Sequence, residues 1–265
     1  MSHSTIKGKR RFALTVVSTL AMLVFSVSAQ AILVNHWTFD ANGGDSGSSG
    51  NLATLQNGAS IDNTQVAPNG SIGSLKLDGA NDRANALGYK APLVGGTNSR
   101  TVAAWVKTAP GININNHNFA IASYGQNQNG DKFILRSQTD QGTINGNLRF
   151  EVNGGYVTGT DIIANGDWHH VAMTWENDGT PNVVDTKLYV DGALQAFNKT
   201  ATNVVHTDTA NGSNFRIGDG HGNDNFDGWI DDVRVYNEVL SAGQIADLAA
   251  PVEMDIVAGF TKDFQ

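Results

Sequence analysis

The sequence has no cysteine, five prolines in 265 residues, and only four glutamates among its 25 acidic side chains. Without cysteine there is no disulfide scaffold, no thiol nucleophile and no lipid-bearing cysteine, so burial must hold the fold together, with a metal ion as the remaining cross-link. The scarcity of glutamate bears on chemistry. Glycoside hydrolysis normally uses two carboxylates about 5 to 9.5 Å apart across a cleft, and Glu151, Glu176, Glu238 and Glu253 are well separated in sequence. No basic run is dense enough to track a nucleic-acid backbone, which argues against nucleic-acid partners. No apolar run reaches the roughly 18 residues of a spanning helix, so stable membrane insertion is not expected.

The longest apolar stretch, Phe12 to Val27, follows Lys7, Lys9, Arg10 and Arg11 and precedes Ser28-Ala29-Gln30-Ala31, an A-x-A-like cleavage site. That order reads as a signal peptide over residues 1–31 and implies a secreted, periplasmic or extracellular protein. Its removal leaves 13 Lys and Arg against 25 Asp and Glu. A chain this acidic suits neutral glycans or cations better than DNA or anionic lipid.

What the chain does have is turns. Its 30 glycines, with many Asn and Asp, punctuate segments of strand length. These are Leu33 to Phe39, Ser74 to Leu77, Thr101 to Lys107, Phe119 to Tyr124, Lys132 to Ser137, Leu148 to Val152, Trp168 to Trp175, Lys187 to Val190, Ala193 to Phe197 and Phe215 to Gly218. Many short strands between turn signals indicate an all-β sandwich, jelly roll or barrel. In the first, alternation places Leu33, Trp37 and Phe39 on one face. Asp191-Gly192 alone separates Lys187–Val190 from Ala193–Phe197, a two-residue hairpin that needs positive φ at both turn positions. A short helix is expected after Ser241, a good N-cap, with Ile245 and Leu248 as its apolar stripe. No linker or long repeat splits the chain, so residues 32–250 read as one domain and 251–265 as a tail.

Phe226 to Tyr236 stands out because its register conflicts with its content. Alternation puts Asp231, Val233 and Val235 on one face and Ile230, Asp232, Arg234 and Tyr236 on the other. Either Asp231 points toward the apolar side, held by hydrogen bonds or a cation, or a bulge near Asp231 and Asp232 resets the phase. Adjacent strand residues face opposite ways, so Asp231 and Asp232 cannot act as a catalytic pair.

The ordered motifs Trp37-Thr-Phe-Asp40, Leu75-Lys-Leu-Asp-Gly79, Thr101-Val-Ala-Ala-Trp-Val-Lys107, Trp168-His-His-Val-Ala-Met-Thr-Trp175, Leu188-Tyr-Val-Asp-Gly192, Phe215-Arg-Ile-Gly218 and Gly228-Trp-Ile-Asp-Asp-Val-Arg-Val-Tyr236 resemble bacterial laminin-G-like domains of the concanavalin A-like lectin/glucanase superfamily. The resemblance spans roughly residues 33–250. It implies an antiparallel two-sheet jelly-roll sandwich with one short C-terminal helix, ligand on the concave face or rim loops, and a frequent structural calcium at the sandwich edge. The same fold carries lectins, adhesion modules, hydrolases and lyases.

Of these functions, catalysis gets the least from the residues. The Glu-x-Asp-x-x-Glu pattern of laminarinase-like relatives is missing. In Trp168-His169-His170 alternation turns His169 inward with Val171, Met173 and Trp175 and His170 outward, a packing role rather than proton transfer. His117 and His206 lie in polar loops with no assignable partner. The best candidate site is the loop Asp219 to Asp227, which offers Asp219, His221, Asn223, Asp224, Asn225 and Asp227 among glycines, for sugar hydroxyls or calcium. Tyr124, Tyr156 and Trp229 are the aromatics available to a sugar ring, whereas Trp37, Trp105 and Trp175 read as core. The loop after Asp40, with Asn42 and Asp45, also crowds oxygen ligands together. The expected metal set is therefore Asp40, Asp45, Asp219 and Asp231. The leading expectation is a secreted, non-catalytic domain binding a glycan or a cell-surface or matrix partner and stabilised by calcium. A hydrolase or lyase of the same superfamily and a structural adhesion component are the alternatives.

Overall fold

A computed structural model describes residues 31–87, 98–113, 118–128, 131–139, 145–196, 199–201, 214–222 and 224–252. The expected signal segment through residue 30, Asn223, His117, His206, Phe197 and the tail beyond residue 252 lie outside the described residues. The strands run β1 (Leu33–Trp37), β2 (Ala53–Gln56), β3 (Ser60–Asp62), β4 (Ser74–Asp78), β5 (Arg83–Ala86), β6 (Arg100–Thr108), β7 (Phe119–Tyr124) and β8 (Phe133–Thr139). They continue with β9 (Asn145–Val152), β10 (Gly155–Ile162), β11 (His169–Trp175), β12 (Thr186–Val190), β13 (Ala193–Leu194), β14 (Lys199–Ala201), β15 (Phe215–Ile217) and β16 (Asp227–Tyr236), followed by helix α1 (Ala242–Ala249).

Two antiparallel sheets form a jelly-roll sandwich. Sheet A runs β13-β12-β11-β6-β16-β4-β3, with β1 also on β16, and sheet B runs β14-β10-β9-β8-β7-β15-β5-β2. Between them lies one core that includes Trp37, Phe39, Val106, Tyr124, Phe133, Phe150, Met173, Trp175, Phe215 and Val235. A smaller cluster of Ala103, Ala172, Tyr189, Tyr236, Leu240 and Ile245 seats α1 on the outer side of sheet A. That helix starts at Ser241, whose side chain accepts from the Gln244 amide while Gln244 reaches back, a capping box. The Asp191-Gly192 hairpin turn has φ of +50° and +79°, the type I′ requirement.

Strand β16 crosses the middle of sheet A, with β6 on one side. On the other, β4 pairs its first half and β1 its second. Against β6, Asp231 lies opposite Trp105 and Arg234 opposite Ala103, so three steps of β16 match two of β6. This is a β-bulge, with Asp232 at φ +50°. It decides between the two registers open from the sequence: Ile230, Val233 and Val235 all join the core. Asp231, directly opposite Trp105, falls on the outer face of the sheet.

The first strand needs correcting. A register shift between Leu33 and Asn35 turns Leu33 toward the helix cluster, so that Val34, not Leu33, shares the core with Trp37 and Phe39. The strand stops at Trp37, and Phe39 reaches the core from a backbone at φ +51°.

Candidate functional site

The loop between β15 and β16 folds back on the outer face of sheet B. Its ends are closed by the Phe226 amide donating to the Gly218 carbonyl at 2.9 Å and by an Asp219–Asn225 bridge. The Ser123 hydroxyl of β7 donates to the Asp219 carbonyl at 2.6 Å. Gly220 lies so close to the sheet that a methyl group there would come 2.7 Å from Ile134 Cδ1. Ile134 points away from the core, yet is fully buried, because this loop covers it.

Beside the loop, sheet B carries two cross-strand rows on the same outer face. One is Ile134–Glu151–Tyr156 and the other Arg136–Arg149–Thr158. Glu151 accepts from Lys132 at 2.6 Å, from Arg136 at 2.6 Å and from Arg149. Burial by itself would raise the Glu151 pKa, but Arg136, Arg149 and Lys132 outweigh it and hold the carboxyl below its usual range. The second Arg136 terminal nitrogen donates to Asp224 at 2.7 Å, which ties loop to sheet. The Arg149 guanidinium lies 3.7 Å from the Tyr156 ring centroid, a cation–π contact. On the loop, burial and then Arg216 push the His221 pKa down, and its Nε2 is buried without a hydrogen-bond partner.

The opposite side of the sandwich holds a second polar region, a cavity of about 160 Å³ lined by His36, Thr38, Asp40, Asn69, Ser71, Asp232 and Arg234. Asp231 is fully buried nearby, and burial, reinforced by the charges of Asp232 and Asp40, raises its pKa to about 7. Its Oδ1 accepts the Asp232 amide, while Oδ2 has no partner. Ser71, beside Asp231, donates to Asp40 at 2.9 Å and to the Gly73 carbonyl at 2.7 Å. An orphaned buried carboxylate oxygen is where a cation would relieve the cost. A calcium shell takes 6–8 oxygens, more than Asp40 and Asp231 alone supply. Among the described residues no group of three or more His, Cys, Asp or Glu side chains is disposed to hold a metal ion.

The structure separates the residues expected to act together. Asp45 accepts hydrogen bonds from its own loop, through the Gly47 and Asn51 amides and Ser49, and from β1, through the His36 amide and the Asn35 side chain. Asp219 pairs with Arg83 at 3.1 Å, on sheet B and away from Asp40 and Asp231. Asn225 donates to the Ala80 carbonyl, and Asn223 lies outside the described residues. Trp229 is on the outer face of sheet A, where its indole donates to Asp62 and Lys107 lies over the ring. Tyr124 cannot meet a ligand: it is 2% exposed, stacked against Phe133 and Phe215 in the core, with its hydroxyl on Arg100. Trp105 is buried as expected, but on the outer face against His170 rather than between the sheets.

The sequence profile described as the concanavalin A-like lectin/glucanases superfamily matches residues 78–246, more than half of the chain. This chain belongs to that superfamily. No curated protein sequence matches it significantly. Among solved structures it is similar to domain 4 of a GH43 extracellular arabinanase from Geobacillus stearothermophilus, in complex with arabinotriose. There the identity is 21% and the TM-score 0.61, covering 83% of this chain and 99% of that one. It is also similar to the botulinum neurotoxin serotype D binding domain, at 15% identity and TM-score 0.57, covering 82% of this chain. The serotype D ligand-binding domain in complex with N-acetylneuraminic acid matches at TM-score 0.56 and 15% identity. This chain spans about half the length of those toxin chains.

Within this laminin-G-like domain, the covering loop and Tyr156 were candidates from sequence, whereas Lys132, Arg136, Arg149 and Glu151 beside them were not. Leu148-Arg-Phe-Glu-Val152 alternates with period two, and the same alternation runs through Phe133 to Ser137. That pattern places Arg136, Arg149 and Glu151 on a common outward face once the strands are paired.

Proposed function

We propose that this protein is a non-catalytic glycan-binding module whose site is the outer face of sheet B beside the 219–225 loop. The observation that carries this reading is the loop-walled patch of Lys132, Arg136, Arg149, Glu151 and Tyr156, polar groups directed away from the core by strand alternation. Superfamily membership supports it, as do similar folds solved with arabinotriose and N-acetylneuraminic acid. Glu151 and Asp224 both bond to Arg136, and Glu151 is held ionised, so it has no proton to donate as a general acid near neutral pH. Export through the N-terminal signal and a structural calcium on Asp40 and Asp231 belong to the same proposal.

Isothermal titration of the full chain against a polysaccharide panel, run beside assays for reducing ends and unsaturated products, tests it. Binding without product release is the expected result, and product release would replace the binding module with an enzyme. A lyase is the second reading: burial and Arg216 push the His221 pKa down, and its buried Nε2 would have to be uncovered to serve as a base.

A further inference from the structure

Among the described residues, the outer face of sheet B carries arginine donors that outnumber the acceptors they meet. A guanidinium has five N–H groups, yet among the described residues Arg149 gives a single hydrogen bond, to Glu151, although its side chain is only 11% exposed. Its Nε is buried without a partner. Arg136 gives two, to Glu151 and Asp224, and its Nε is likewise buried and unpartnered. These two arginines stand directly opposite each other across β8 and β9, and like charges in that position ordinarily destabilise a sheet. Further along the same face, Arg83 and Arg216 share the single carboxylate of Asp219. Among the described residues the ion pairs on this face therefore join five cations to three carboxylates, in a chain whose formal net charge is −8.

We propose that this face selects glycans bearing a carboxylate or sulfate group, which Lys132, Arg136 and Arg149 take up together. The planar guanidinium fork matches both groups, and Tyr156 holds the Arg149 fork in place before the ligand arrives. Glu151 keeps the three cations together without neutralising them, so the excess positive charge is directed at the ligand. This inference rests on the glycan-binding reading and narrows it to an anionic ligand.

The test is titration of the full chain with two matched pairs, polygalacturonate against its carboxyl-reduced form and dextran sulfate against dextran. At least one charged member is expected to bind about tenfold or more tighter than its uncharged partner, with affinity falling as salt rises. The pair that shows the preference identifies the group. Arg149→Gln is expected to abolish the preference in a chain that still unfolds cooperatively, while Lys76→Gln, an equal loss of charge on sheet A, leaves it intact. If Arg149→Gln does not fold, Lys132→Gln carries the same test. Equal affinity within both pairs overturns the charge selection and leaves glycan binding standing. A preference that survives the substitution overturns the assignment to these residues. No binding to any of the four polymers overturns the inference, and the wider panel then decides the parent reading.

Discussion

His36 Nε2 lies 2.5 Å from the Asp232 carboxylate, joining β1 to the bulge of β16 across 196 residues of sequence. Arg234 Nε meets the same oxygen at 2.9 Å. The bulge also places Asp232 at φ +50°, a region that Asp and Asn tolerate better than most side chains. Asp232→Asn keeps both the backbone tolerance and an acceptor, whereas Asp232→Ala keeps neither. We expect losses of about 1 kcal/mol for Asn and about 2–3 kcal/mol for Ala. Urea midpoints of the two variants check this, and equal losses would contradict it.

Two buried groups under the outer face of sheet A titrate with opposite signs. Asp231 is raised from 3.8 to about 7 by burial, so the native state holds its proton over that range and stability is lost as pH rises through it. His170 is lowered from 6.5 to about 4, again chiefly by burial, so the unfolded state binds the proton and stability is gained as pH rises through that range. At about 1.4 kcal/mol per pKa unit, each slope is worth a few kcal/mol and the two largely cancel. With chelator present, Asp231→Asn should therefore leave stability rising from about pH 4 to pH 6.5, and His170→Gln should leave it falling from about pH 4 to pH 7. Chemical denaturation across that interval measures both slopes.

For calcium, the expected behaviour is a thermal midpoint that falls with chelator and recovers with calcium but not with magnesium. At about a hundred times its dissociation constant a bound ion contributes roughly 2.7 kcal/mol, a shift of several degrees. Asp231→Ala should abolish the response. A midpoint indifferent to chelator would remove the metal from this protein.

The fold was legible because its signals are local. Turn residues, alternation and the Ser241 cap each act within a few positions, and the sandwich, the Asp191-Gly192 hairpin and α1 follow from them. The bulge was legible as a conflict between Asp231 and its register but not as a resolved answer, since only pairing with β6 shows which residue is extra. Leu33 was misassigned for the same reason: a register shift against β16 leaves no mark in the alternation of β1. The candidate site was harder to see because it is assembled across strands. Arg136 and Arg149 become neighbours only when β8 and β9 pair, and Tyr124 and Tyr156 look alike in sequence although one lies between the sheets.

These two tyrosines make the sharpest contrast available to mutation. Tyr124 donates no surface to ligand, and its hydroxyl receives a hydrogen bond from Arg100 Nη1 at 2.6 Å, with Arg100 itself 1% exposed. Tyr124→Phe removes an acceptor from a buried charge, so it should cost about 1–3 kcal/mol of stability and leave glycan affinity unchanged. Tyr156 is half-buried, and its ring supports the Arg149 guanidinium. Tyr156→Ala should weaken glycan binding about tenfold, because Arg149 must then be ordered at the moment of binding. Its stability loss should be smaller than that of Tyr124→Phe, since the contact is at the surface. Thermal midpoints and titrations on both variants separate the roles, and affinity lost in Tyr124→Phe but kept in Tyr156→Ala would move the site away from sheet B.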